Sequence, residues 1–353
     1  MSKFPYAGLP KNQVWKRAVS DVPADRIDPQ DAGRFSFTKS SQISSAGSCF
    51  ALRLADGLRT NGYSYFVTEA GPAERNFGRY SARYGDVYTT LQLAQLARRC
   101  VGDFAPQETA WLSNGRYHDP FRPRVEPNGF ASVDELEADR ATHLAAARRV
   151  FSESDVFIFT LGLTETWISR ADGAAFPLCP GAGIGTFDDQ RHAFHNLTVD
   201  ETVDAFEAFL DIAWSLNPKL RVLLTVSPVP LAATMEPRHV IASTVYSKSV
   251  LRVAAETLRA RHERVDYFAS YEIVTAGYDG NAKFGPDRRE VLDSTVERVM
   301  HSFFAAFGDV TSAVPELPVI DLSMSAVSAA AQAPRSPNDP CDEAYLASFI
   351  AKA

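Results

Sequence analysis

The sequence is short of cysteine, of long apolar runs and of positive charge, and each shortage removes a class of protein. Four cysteines, Cys49, Cys100, Cys179 and Cys341, are scattered over 353 residues without a C-x-x-C pair. That spacing argues against a disulfide framework and offers no zinc-binding cluster, so no metal is expected. No eighteen consecutive apolar residues occur, which leaves no candidate membrane span. Lys and Arg number 36 against 43 Asp and Glu, a formal charge of −7. A chain so balanced has no electrostatic footprint for nucleic acid or an anionic membrane. The pairs Arg98-Arg99, Arg148-Arg149 and Arg288-Arg289 sit among acids and read as solvated helix faces. The stretch MSKFPYAGLPKNQVWKRAVSD has no apolar core of the kind a secretory signal carries. With scattered thiols, it gives the expectation of a cytoplasmic protein.

What is present is an ordinary globular balance, 45% hydrophobic and 22% charged. Short apolar runs alternate with longer helical stretches. The runs QISSAG (42–47), YSYFV (63–67), DVFIFTLG (155–162), RVLLTVSPV (221–229) and VDYFAS (265–270) predict strands. The last three are nearly unbroken Val, Ile, Leu and Phe, as strands covered on both faces of a parallel sheet require. Helical patterns fall at 49–61, 89–100, 132–151, 199–215, 243–262 and 290–306, with start signals at Ser132 and at Thr198 followed by Glu201. The alternation predicts a doubly wound, three-layer α/β/α fold with a mainly parallel sheet. The expected divisions are an arm over 1–40, the α/β domain over 41–308, and an Ala/Ser/Pro-rich tail over 309–353. Three stretches, 69–88, 111–129 and 169–197, break the alternation as long irregular loops. They are rich in aromatics, Arg and His, and are read as ordered binding loops. PGAGIG (180–185) is read as a mobile loop, since no Lys-Ser/Thr follows it as in a phosphate loop.

Ligands of open α/β sheets bind beyond the carboxyl ends of the strands. There, after the first strand, comes Gly47-Ser48-Cys49-Phe50-Ala51. A glycine turn followed by a serine at a helix N-terminus suits a nucleophile, because the helix end favours developing negative charge. The plainer reading of Ser48 is a helix N-cap. Glu165 and Glu272 each follow a strand and invite a carboxylate-pair reading, in which one of the two anchors an Arg or a backbone N–H instead. His118, His143, His262 and His301 read as surface positions on loops or helices.

The pentapeptide GSCFA is the signature of the GSCFA family, which is similar to SGNH (GDSL-like) hydrolases. The chain resembles that family through NFGRYSARYG (76–85), YHDPFRP (117–123), FTLGLTETW (159–167), FHNLTVDET (194–202), LTVSPVPL (224–231), YSKSVLR (246–252) and DYFASYEI (266–273). The resemblance implies the SGNH arrangement: a serine after the first strand, an oxyanion glycine, an asparagine in a GxND-like turn, and a late DxxH pair. Ser48 matches the first block. Gly78, next to Asn76-Phe77, stands for the glycine, with Gly71 and Gly85 as alternatives. The third block resembles Gly162-Leu163-Thr164-Glu165, with Thr164 in place of asparagine and able to donate one hydrogen bond. Asp287 matches the late acid, but Glu290 occupies the histidine position.

A serine needs a base to attack, so the histidine is sought elsewhere: His239 first, His195 second, His192 after them. Asp287 or Glu165 would orient it, with Asn196 and Asn76 in support. The resemblance implies a serine esterase or O-acyltransferase acting on a small-molecule or glycan substrate, without a cofactor. Tyr80, Tyr84, Trp111, Phe121 and Trp167 are the expected stacking surface for a sugar ring. The competing expectation is a glycan-binding or polysaccharide-assembly protein that keeps the fold without the DxxH histidine.

Overall fold

Five consecutive residues of β1, Ile43–Gly47, are buried, which no half-exposed strand would tolerate. The same holds for β4 (Val156–Leu161) and β9 (Val265–Phe268) and for all but the first residue of β8 (Arg221–Val226). These four strands pair in parallel in the order β1-β4-β8-β9. The computed structural model describes residues 4–309 and Leu346. The tail expected from 309 onward lies outside the described residues apart from Asp309 and Leu346.

Alternation along the strands divides the core. Phe157, Phe159 and Leu161 face one layer, where they pack with α2 (Thr90–Val101), α3 (Val133–Glu153), α4 (Val199–Leu216) and α5 (Val240–Arg261). Val156 and Ile158 face the other, against α1 (Cys49–Thr60), α6 (Ser270–Thr275) and α7 (Asp293–Phe307). The predicted three-layer α/β/α fold is therefore the observed one. Capping follows the sequence signals. The hydroxyl of Ser132 accepts from Glu135 N–H, and Thr198 with Glu201 forms a capping box.

The structure departs from expectation in the connections. Residues 63–67 form no strand: Tyr65 makes a single parallel bridge to Ile43. The chain then turns away, because Thr68 N–H bonds the Ser81 carbonyl instead of continuing along β1. The stretch 111–129 contains a hairpin of β2 (Trp111–Ser113) and β3 (Arg116–His118). The stretch 169–197 contributes to a small antiparallel sheet, β6-β5-β7, built from β5 (Glu165–Ser169), β6 (Ala175–Phe176) and β7 (His192–Asn196). PGAGIG closes on itself through Gly181 N–H to the Ile184 carbonyl, and Gly185 lies against the Trp111 ring.

The Arg- and His-rich loops turn inward. Arg83 pairs with Asp139 and Glu126 at 2.7 Å each, and Arg122 pairs with Asp119 and Asp139. His143, expected at the surface, is buried on α3, with Nδ1 2.8 Å from Glu69. Burial of this many charges is sustained only by mutual pairing, and here Asp139 of α3 receives both loop arginines, with Glu126 and Asp119 of the loops as their second acids.

Gly47 has φ 146°, and a Cβ there would lie 2.7 Å from both the Cβ and the carbonyl oxygen of Thr160. Substitution Gly47→Ala is expected to cost about 3 kcal/mol, from overpacking and backbone strain combined. Urea denaturation of the variant checks this, and a loss below about 1 kcal/mol would contradict it.

Candidate functional site

The turn at Gly47 delivers Ser48 to the N-cap of α1, at the carboxyl edge of the sheet. Ser48 has extended backbone and caps α1 without a side-chain capping bond. Its side chain is largely enclosed, and its hydroxyl makes no hydrogen bond among the described residues. An N-cap serine ordinarily spends its oxygen on the second or third N–H of the helix. Ser48 does not, so its oxygen remains available beside the helix N-terminus.

The segment 85–88 runs across this edge. Val87 N–H donates to the Gly47 carbonyl at 3.0 Å, and the Tyr88 carbonyl accepts from Gly162 N–H at 2.9 Å. Asp86, just before them, accepts from the hydroxyls of Tyr80 at 2.5 Å and Tyr88 at 3.1 Å. Gly85 has φ 67° with open space where a Cβ would be. It lines a narrow cleft with Asp86 and with Leu52 of the first turn of α1.

Gly78 lies elsewhere. Its carbonyl accepts from Arg59 in the last turn of α1, roughly 16 Å along the helix axis from Ser48. Of the glycines considered from sequence, Gly85 is the one the crossing segment carries toward Ser48. Asn76 holds a loop, with its amide donating to the Arg124 and Val125 carbonyls.

Thr164 is buried, and its one hydroxyl proton is engaged. Oγ1 stands 2.6 Å from Asn196 Oδ1 and 3.1 Å from Ser247 Oγ, while Thr164 N–H donates to Ser247 Oγ at 3.0 Å. Asn196 in turn donates to Glu236 at 2.7 Å. Thr164 and Asn196 thus join in a polar network of their own, which leaves the Thr164 hydroxyl no proton for an oxyanion. Glu165 accepts from the Thr234 hydroxyl at 2.6 Å and from Met235 N–H at 3.2 Å, and burial raises its pKa. Glu272 anchors Arg252 at 2.7 Å and the Tyr267 hydroxyl at 2.9 Å. The two glutamates serve different partners and do not form a catalytic pair.

The three candidate histidines have structural partners. His239 is exposed and caps α5, with Nδ1 accepting from Ile241 N–H at 3.1 Å. His195 meets Glu201 of the α4 capping box at 2.9 Å. His192 is buried: Nδ1 accepts from Asp188 N–H, so the ring proton sits on Nε2, 3.2 Å from Glu108. None of them hydrogen-bonds Ser48. Asp287 takes the N–H groups of Arg289 and Glu290 at 3.0 Å each. Arg53 of α1 lies 3.9 Å from Glu290 and 3.2 Å from Asp293. The late D-x-x-E segment therefore returns to the first turns of α1 with a carboxylate where the resemblance expects an imidazole.

Two features escaped sequence reasoning. One is Lys248 of α5, whose side chain is fully buried and whose ammonium donates to the Gly162 carbonyl. Its signal was its place on the core-facing stripe with Leu251 and Ala255. The other is an apolar cavity of about 420 Å³ beyond Tyr88 and Leu163, walled by Trp167, Phe176, Phe194 and Leu231. Of the five aromatics expected to stack on a sugar, Tyr80, Tyr84 and Trp111 are interior, and Phe121 lies under Arg99 at 4.2 Å. Trp167 alone lines the cavity. Among the described residues no cluster of three His, Cys, Asp or Glu could hold a metal ion, and no helix is long and apolar enough to cross a membrane.

A mainly parallel sheet with helices on both faces, and a serine heading the helix that follows its first strand, defines the α/β class of the fold. The family follows from comparison: residues 42–303 match the GSCFA family, and the chain belongs to it. No curated protein and no solved structure matches the chain.

Proposed function

We propose that the chain is an SGNH-like serine acyl-transfer enzyme, an esterase or O-acyltransferase, that acts on an acylated carbohydrate. The observation that carries this reading is the Ser48 hydroxyl, positioned at the mouth of β1 and left out of the helix cap it would otherwise serve. Ser48 attacks the acyl carbon. The N-terminal amides of α1 and the Gly85 amide are the donors for the oxyanion, replacing the Gly78 and Thr164 of the sequence reading. The apolar cavity beyond Tyr88 receives the acyl chain, and Trp167 is the remaining aromatic surface for the sugar.

The experiment compares wild type with Ser48→Ala on p-nitrophenyl esters of acetyl, hexanoyl and decanoyl groups and on acetylated sugars. The variant is expected to lose turnover by about a thousandfold or more, as nucleophile removal does in serine enzymes. Unchanged turnover in the variant would sink the assignment.

A second reading, a glycan-binding protein of polysaccharide assembly, is favoured by Glu290 in the histidine position and by the engagement of His192, His195 and His239 elsewhere. It predicts saturable binding of an acylated glycan by calorimetry with no covalent adduct at Ser48.

A further inference from the structure

We propose that Lys248 is the base that takes the proton of Ser48. The inference rests on the reading of Ser48 as a nucleophile and supplies the group that the sequence resemblance leaves missing.

Gly47 pairs with Thr160 in the parallel ladder, so Ser48 lies one residue beyond that pair and Gly162 two beyond it. With about 4.8 Å between strands and about 3.3 Å per residue, the two backbones approach within roughly 6 Å. The Lys248 ammonium is bonded to the carbonyl of Gly162. Gly162 N–H, in turn, is held by the Tyr88 carbonyl, one residue after Val87 donates to Gly47. The amine is thereby fixed in the β1–β4 seam at the end where the Ser48 hydroxyl emerges. Its neighbours also hold it in place: Ser247 accepts from the backbone N–H of Thr164.

A fully buried lysine is uncommon, because its charge is costly to desolvate. Lysines of this kind serve as bases and nucleophiles in enzymes because burial favours the neutral amine. Titratable groups on the neighbouring segments include Asp86 and Tyr88 on the crossing segment, Glu165 after Thr164, His195 next to Asn196, and Arg252 one turn on along α5.

The step balances without a co-reactant. The neutral amine accepts the Oγ proton as oxygen bonds the acyl carbon and the carbonyl electrons move to oxygen. Collapse of the adduct breaks the ester C–O bond, and the leaving alkoxide takes the proton from the Lys248 ammonium. Water or an acceptor hydroxyl then repeats the cycle from the other side and restores Ser48.

The test measures the rate at which a fluorophosphonate probe labels Ser48 in wild type, Lys248→Met and Lys248→Arg, with the site located by peptide mass spectrometry. Loss of a general base is expected to slow labelling by about a hundredfold or more in both variants. Arginine keeps the charge and the carbonyl bond, so the loss in that variant separates base chemistry from structure even if the methionine variant fails to fold. The wild-type rate should also climb with pH along a limb that both variants lack. Labelling of either folded variant at the wild-type rate would overturn the role of Lys248 and leave Ser48 as the nucleophile. A wild-type protein whose Ser48 stays unlabelled would overturn both.

Discussion

Replacement of Asp119 by Ala is expected to destabilise the protein by about 3–5 kcal/mol, the cost typical of stripping one partner from a buried ion pair. Asp119 is completely buried. Its Oδ2 accepts from Arg122 Nε and Nη2, each at 3.1 Å, and from Arg140 Nε at 3.2 Å, while Oδ1 accepts from Phe121 N–H at 3.0 Å. Burial alone would raise its pKa, but Arg122, Arg140 and Arg99 outweigh burial and hold the carboxyl well below the usual carboxylate range. Without it, Arg99 loses the carboxylate that most supports its charge, and burial already lowers that guanidinium to about 10. Arg122 keeps Asp139 at 2.9 Å, which limits the damage but does not repair it. Urea denaturation at neutral pH gives the energy directly, and the melting temperature should fall by roughly 6–15 °C. A loss below about 1 kcal/mol would show that the cluster relaxes or admits water.

The second large effect is on the dependence of stability on pH. His143 is enclosed, and burial, reinforced by the nearby charge of Arg122, lowers its pKa from 6.5 to about 4. Between those two values the unfolded chain takes up a proton that the native ring refuses. Stability from this group is therefore complete above pH 6.5 and falls as pH drops toward 4, by about 3 kcal/mol in total. Glu69, the partner of His143, also has a lowered pKa, since the His143 hydrogen bond and the Arg83 N–H offset its burial. Its share is lost at still lower pH, as the carboxylate is protonated. Urea midpoints at pH 7, 6, 5 and 4.5 should slope downward through this window, and His143→Gln should flatten the slope. An unchanged slope in that variant would remove His143 as its source.

The sheet was legible because burial on both faces leaves one kind of sequence. DVFIFTLG and RVLLTVSPV could hardly be anything but central strands. The run YSYFV has the composition of a strand but makes one bridge before Thr68 turns to Ser81, a choice made by the fold and invisible in five residues. The loops misled for a different reason. Arg83, Arg122 and the aromatics around them look like ligand-facing groups, but both arginines pair with Asp139 of α3, where Asp139 and His143 sit on the same stripe as Leu136, Ala146 and Val150. Polar residues on an otherwise apolar stripe were the available warning.

At the site, the Gly47-Ser48 turn was readable from strand–helix spacing alone. Gly78 was not, since its distance from Ser48 depends on how 69–85 folds back along α1. Thr164 was placed correctly after β4, yet the identity of its hydrogen-bond partners, Asn196 and Ser247, is a tertiary fact separated by up to 83 positions in sequence.

The side of the cavity bearing Trp167, Phe176 and Phe194 comes from a single excursion of the chain, the small antiparallel sheet inserted between β4 and α4. The parallel sheet and the serine turn take no part in building those aromatic walls. The shape and chemistry of that wall can therefore be changed by rewriting one contiguous cassette, with the parallel sheet beneath it untouched.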